Sequence, residues 1–195
     1  VTNSYNVIGI CYSKQNQHKK AAEYFKKVVE KAEAAKSDHQ TGVSYNNLAI
    51  EYQHLKQYSL ADHYLKKSYA IFKKTKVNQY LSHIFMNRGV IRFDKGMYDS
   101  ALVFYRKAAE LHHLYNEDPL PSSISNNIGE VFYKLKQYDS SLFYLNLSLH
   151  SVDTLSDKYS TRELYKHLSN TYFANNNVSK AYYYLRKHNQ VNDYI

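Results

Sequence analysis

Tryptophan is absent from the 195 residues, and cysteine, proline and glycine are scarce, at one, two and five. Cys11 has no second cysteine with which to close an internal disulfide. The ten histidines lie scattered, with no Cys/His grouping at zinc spacing. With so few helix breakers, long stretches run free of Pro and Gly, a composition that suits continuous helix. No run of about 18 apolar residues exists that could cross a bilayer as a helix. The first residues also lack the charged-then-apolar layout of a signal peptide. Catalytic signatures are missing too: no Gly-rich phosphate loop, no HExxH, no nucleophile elbow and no close acidic pair in a plausible cleft. His112 and His113 are adjacent, so on a helix they point in different directions and do not form a metal site. The expectation is a chain without enzymatic activity, cofactor or metal.

Positive charge is unevenly distributed. Residues 1–97 carry 16 Lys+Arg against 7 Asp+Glu, and residues 98–195 carry 10 of each, so the whole excess of +9 lies in the first half. Such an imbalance either steers an acidic partner to one end or simply solvates exposed helix faces.

The dominant feature is an internal repeat. Small residues Gly9, Ala49, Gly89, Gly129 and Ser169 recur every 40 residues. Twelve positions beyond each stands a second small residue, Ala21, Ala61, Ala101, Ser141 or Ala181. Four positions further on come Phe25, Leu65, Tyr105, Leu145 and Leu185. Polar breaks such as KQNQH, LKQYS, DKGMYD and LKQYD separate the registers and mark turns. Each unit therefore reads as two antiparallel helices, with the small residue where the partner crosses closely. The aromatic after it, Tyr12, Tyr52, Phe132 or Tyr172, fills the space between helices, and Arg92 departs from the pattern. Helices are expected near 2–14, 18–36, 39–54, 58–76, 78–95, 98–116, 119–134, 138–156, 158–174 and 178–195. Pro119 and Pro121 mark the strongest break. Cys11 is expected to pack as a small hydrophobe, and the run Tyr182, Tyr183, Tyr184 to form core rings with wet hydroxyls.

This pattern of small residue, aromatic, Ala and then aromatic or Leu resembles the tetratricopeptide repeat family. The resemblance covers essentially the whole chain. It departs from the family in a 40-residue rather than about 34-residue period. It departs also in Tyr5, Tyr45, Phe85 and Tyr165 standing where Trp is usual, and in the absence of a closing Pro. The longer unit is similar to the lengthened repeats of kinesin light chain and of peptide-binding cell-polarity adaptors. It implies an all-α, right-handed α-solenoid of five repeats, roughly 1–38, 39–77, 78–117, 118–157 and 158–195, forming one domain. The chain starts and ends inside helical patterns, which suggests a piece of a longer protein whose exposed terminal helices allow self-association.

In such a solenoid the first helices of the repeats line a concave wall. Two residues before each small residue stand Val7, Asn47, Asn87, Asn127 and His167, so three consecutive repeats carry an Asn at one height. An amide offers both a donor and an acceptor, and either meets the backbone of an extended partner or hydrogen-bonds to the neighbouring repeat. In the resembling peptide-binding families an Asn at this place clamps the ligand backbone, which carries over to Asn47, Asn87 and Asn127. Four residues past the small residue, Phe93, Tyr133 and Phe173 form an aromatic row that either offers pockets or tucks between helices. His83, Glu130, His167 and Asn170 complete the candidate peptide-binding set. The places where chaperone-type relatives grip a carboxylate with Lys and Arg hold Asn6, Ile10, Asn47, His83 and Asn87, so that mode is not expected.

The expected role is a scaffold that binds a protein or peptide segment in its groove. A second reading takes the array as the sensory part of a bacterial histidine kinase or transcription regulator, which leaves the cytoplasm and the periplasm both open. A third rests on basic pairs repeating on the second helices, Lys26-Lys27, Lys66-Lys67, Arg106-Lys107 and Arg186-Lys187, as a surface for nucleic acid. Asn146 and Leu147 interrupt that stripe, and a solvated face is its plainer explanation.

Overall fold

The computed structural model describes residues 2–115, 120–152 and 157–192. Ten α-helices are seen among them, in the order α1 Thr2–Lys14, α2 His18–Ala34, α3 Asp38–His54, α4 Tyr58–Thr75, α5 Leu81–Asp94, α6 Tyr98–Tyr115, α7 Ser122–Lys134, α8 Tyr138–Ser151, α9 Lys158–Ala174 and α10 Val178–Asn192. Three boundaries differ from expectation. A 3₁₀ turn at Asn78–Tyr80 precedes α5. Pro121, at ψ 131°, caps α7 from outside rather than lying within it. Val152, extended at ψ 133°, closes α8 at Ser151. Pro119 and the expected far ends of the helices near 116, 156 and 195 lie outside the described residues.

Each pair of helices closes through one turn repeated five times. Asn16, Lys56, Gly96, Lys136 and Asn176 all adopt positive φ, from 58° to 73°. The next N–H returns to the carbonyl five residues back, as in Gln57 to Tyr52 at 2.8 Å and Asn177 to Tyr172 at 2.8 Å. This left-handed cap satisfies the last carbonyls of the first helix and reverses the chain within three residues.

The crossing within each repeat follows from the small residues. A Cβ on Gly89 would stand 2.4 Å from Tyr105 Cε1, one on Gly9 2.9 Å from Phe25 Cε1, and one on Gly129 2.8 Å from Leu145 Cγ. Where serine replaces a small residue, its hydroxyl bonds across the same gap: Ser141 donates to the Gly129 carbonyl at 2.7 Å, and Ser169 to that of Ala181 at 2.9 Å.

Beside this crossing one ring of the second helix slots between residues of the first. Tyr12 stacks on Tyr24, Tyr52 on Tyr64, Phe132 on Tyr144 and Tyr172 on Tyr184, with centroids 5.4, 5.5, 5.5 and 5.6 Å apart. The exception in repeat three is chemically conservative, because the planar guanidinium of Arg92 lies 5.5 Å over the Phe104 ring in the same slot. Arg88 covers that ring as well, at 4.9 Å, and pairs with Asp62 of the preceding repeat at 3.1 Å. On the other side of each slot stand Tyr5, Tyr45, Phe85 and Tyr165, at 5.6 to 6.1 Å. Repeat four has the buried Ser125 there instead.

Consecutive first helices pack on one another from α3 through α5 and α7 to α9, and no comparable packing joins consecutive second helices among the described residues. The stack therefore bends with the first helices inside, which places the concave wall where the repeat pattern expects it. Two expectations fail. Cys11 is exposed rather than packed, because it lies on the side of α1 away from α2. Tyr182 and Tyr183 are exposed at 63% and 51%, because among the described residues α10 packs only on α9; Tyr184 alone fills the ring slot.

Two outcomes follow for stability. Gly89→Ala forces its methyl into the Tyr105 ring, which is only 2% exposed, and should lower the unfolding free energy by about 1 to 3 kcal/mol in urea titration. Burial works against the charge of Asp62, but Lys66 and Arg88 outweigh it and hold its carboxyl below the ordinary 3.8. Asp62→Asn should therefore cost about 1 kcal/mol at neutral pH. That cost should vanish as pH falls below 3.8 and the native carboxylate is protonated.

Candidate binding groove

The first helices turn to the concave wall the side chains two places before, and one place after, each small residue. Along this wall the expected amide ladder is only partly free. Asn87 Nδ2 donates to Asn46 Oδ1 of the preceding repeat at 2.9 Å. In the same register His167 Nδ1 donates to Asn126 Oδ1 at 3.0 Å. These bonds join residues 41 apart and tie consecutive first helices together. Between them the register pairs Asn127 with Met86, whose thioether is a poor acceptor, and Met86 receives Ser123 Oγ at 3.5 Å instead. Among the described residues the Asn47 and Asn127 side chains have no hydrogen-bond partner. Asn46 and Asn126 escaped the sequence reading. Their signal was the doublet in YNNLA and SNNIG, in which the first Asn serves the next repeat and the second faces the groove.

Clefts open on either side of these inter-repeat bonds. Between α3 and α5 lies one of about 190 Å³, walled by Val43, Phe72 and Ile84 with Asn47 and His83 at its polar edge. A second, of about 240 Å³, is walled by Ile50, Leu65, Val90 and Ile91, with Asn87 at its edge. Between α7 and α9 a cleft of about 210 Å³ gathers Glu130, Tyr133, Lys134, Lys166, His167 and Asn170. It adjoins a wider one of about 420 Å³ lined by Asn127, Tyr159 and Glu163.

Phe93 and Phe173 line none of these clefts, and the aromatic row divides. Phe93 lies against Tyr98 at 5.5 Å and Tyr133 against Tyr138 at 6.0 Å, each folding onto the turn tyrosine of its own repeat. In repeat five that turn residue is Val178, so Phe173 has no ring to fold on and is 67% exposed.

Three histidines of the first helices have pKa values below the ordinary 6.5. Burial lowers the pKa of His167, against the pull of Glu130 and Glu163. Burial and the neighbouring His112 lower that of His83. Burial and His18 lower that of His54. His54 stacks on His18 at 4.3 Å, and His18 donates at 2.9 Å to Glu51, a carboxylate only 2% exposed that also receives Ser13 Oγ at 2.7 Å. This network, closed on the buried Glu51, joins the first two repeats.

The basic pairs of the second helices have structural partners. Lys27 sits over Tyr5 and Tyr24, Lys67 over Tyr45 and Tyr64, and Lys187 over Tyr165 and Tyr183, all within 5.8 Å. Lys66 pairs with Asp62 and Lys107 with Glu110. At Lys27, Lys67 and Lys187 the 40-residue recurrence matches that of the rings beneath them.

Unfolded His54 and His167 protonate at the ordinary 6.5, above their folded values, so below that pH the unfolded state binds more protons. Thermal unfolding should show full stability above pH 6.5 and a progressive loss as pH falls through it. A His54→Gln, His167→Gln variant should lose less over the same range.

Residues 1–74 match one family model described as tetratricopeptide repeat, and residues 82–111 match a second. No curated protein sequence matches the chain. Among solved structures, the Rap conjugation gene regulator of the plasmid pLS20, in complex with the Phr* peptide, is 19% identical with a TM-score of 0.81, over 92% of this chain and 50% of that one. NprR in complex with its cognate peptide NprX is 19% identical with a TM-score of 0.79, over 94% of this chain and 53% of that one. A putative kinesin light chain from Podosopora anserina, with nearly identical TPR-like repeats, is 19% identical with a TM-score of 0.65, over 97% of this chain and 94% of that one.

Proposed function

We propose, from the premise that the chain belongs to the tetratricopeptide repeat family, that it is an interaction scaffold whose concave wall holds an extended segment of a protein or peptide by reversible docking, without chemistry. The observation that carries this reading is the pair of amides at Asn47 and Asn127, polar groups on the inner wall that no neighbouring repeat engages among the described residues. Each stands at the edge of a cleft. An amide there matches the alternating N–H and C=O groups of an extended backbone whatever its side chains. The adjoining clefts take those side chains. Asn87 keeps its Oδ1 and one N–H for the same use, while its other N–H holds the joint between repeats.

A second reading, the sensory part of a bacterial regulator, draws on the likeness to the Rap regulator and to NprR, each of which is described with a bound peptide. It differs from the first in requiring that occupancy of the groove change the output of a longer chain.

The test is affinity capture with the native chain beside an Asn47→Ala, Asn127→Ala variant, with hydrogen exchange on the captured complex. Partners retained by the native chain and reduced by about tenfold on the variant, with protection mapping to α3, α5 and α7, support the groove. Equal retention by both, or protection confined to the second helices, refutes it.

A further inference from the structure

The two halves of the groove differ in charge. Of the Lys residues up to position 76, only Lys14 lies on a first helix; the rest are on α2, α4 or the turns. Arg88 and Arg92 of α5 point away from the groove, onto Phe104. Both clefts between α3 and α5 are consequently lined without a single formal charge. Their histidines, His83 and His54, have lowered pKa values and stay neutral at pH 7. Between α7 and α9, by contrast, Glu130, Glu163, Lys134 and Lys166 stand together. The +9 excess of the chain does not reach either part.

Size and spacing narrow the ligand further. Clefts of about 190 and 240 Å³ exceed the roughly 150 Å³ that accommodates a benzene-sized group. They are centred near Ile84 and Ile91 of α5, seven residues apart, which is about 10 Å of helix. A segment in the polyproline II conformation, with three residues per turn and a rise of about 3.1 Å each, covers that span in about three residues and returns its side chain to the same face. A charged side chain in either cleft would be desolvated with no counter-charge, whereas the charges of α7 and α9 remain accessible at the wall.

Resting on the groove reading above, we propose that the preferred partner is a peptide segment in two unlike parts. Two apolar anchors three residues apart occupy the clefts between α3 and α5, and charged residues to one side of them meet the Lys and Glu cluster between α7 and α9.

A displayed library of random dodecapeptides, panned on the whole chain, tests this. The expected consensus has apolar residues at i and i+3, no charge between them, and charged residues on one side only. Val90→Asp should weaken a fluorescent consensus peptide by about tenfold in anisotropy titration, and Ile50→Lys, on the facing helix, should do the same. Lys134→Ala with Lys166→Ala should leave the anchors unchanged on repanning while altering the charged part. A consensus with a charge at an anchor, or full binding to both charged variants, overturns the two-part partner but leaves the groove standing. Failure to enrich any peptide overturns both.

Discussion

Everything in this molecule hangs on the distance between two helices at one point in each repeat. Gly9, Gly89 and Gly129 leave no room for a Cβ against Phe25, Tyr105 and Leu145, so the second helix lies directly on the backbone of the first. At that separation a ring at position 24, 64, 104, 144 or 184 reaches across and is gripped from the other helix. The length between the two contacts then fixes the turn, and the turn requires the left-handed residue found at all five places. Because this geometry recurs every 40 residues, successive units are related by nearly one rotation and translation. A curved stack is the consequence of repeating that operation.

The same geometry separates the charge of the chain into two environments. Lys27, Lys67 and Lys187 on the outer helices rest over rings in or beside the slots, where a cation gains from the ring face without losing its water. The clefts between the first helices α3 and α5, on the inside of the bend, are lined by amides, apolar groups and histidines instead. A basic protein thereby acquires a largely uncharged inner wall over its first three repeats. Net charge, read alone, points to phosphates; its placement leaves the clefts between α3 and α5 without a charged side chain.

At the inter-repeat joints, the side chains that tie the repeats together also border the clefts of the proposed groove. Asn87 and His167 spend a hydrogen bond on Asn46 and Asn126, and the clefts open on either side of those bonds. A ligand lying across them would contact groups that already set the angle between repeats. The register that places Met86 opposite Asn127 interrupts this series and leaves one amide on the wall for other use.

The helix count, the period, the close crossings and the identity of the concave wall were all legible in the sequence, since each depends on contacts within about 40 residues that the repeat displays five times over. The aromatic slot was half legible: its first-helix member stood out, but the substitution of Arg92 looked like a departure until the guanidinium was found stacked on Phe104. Several matters were decided only by tertiary structure. These were which ladder amides are engaged, that Phe93 and Tyr133 fold onto turn tyrosines while Phe173 does not, that Cys11 and Tyr182 face outward, and that the Glu51 network closes the first joint. The amides and the Glu51 network depend on which neighbour a side chain meets across a repeat boundary, and the rest on surroundings that differ from one repeat to the next. A periodic sequence fixes the height of a residue along the stack. It does not fix that neighbour's chemistry, because a position open in one repeat is filled by an amide, a thioether or a ring in the next.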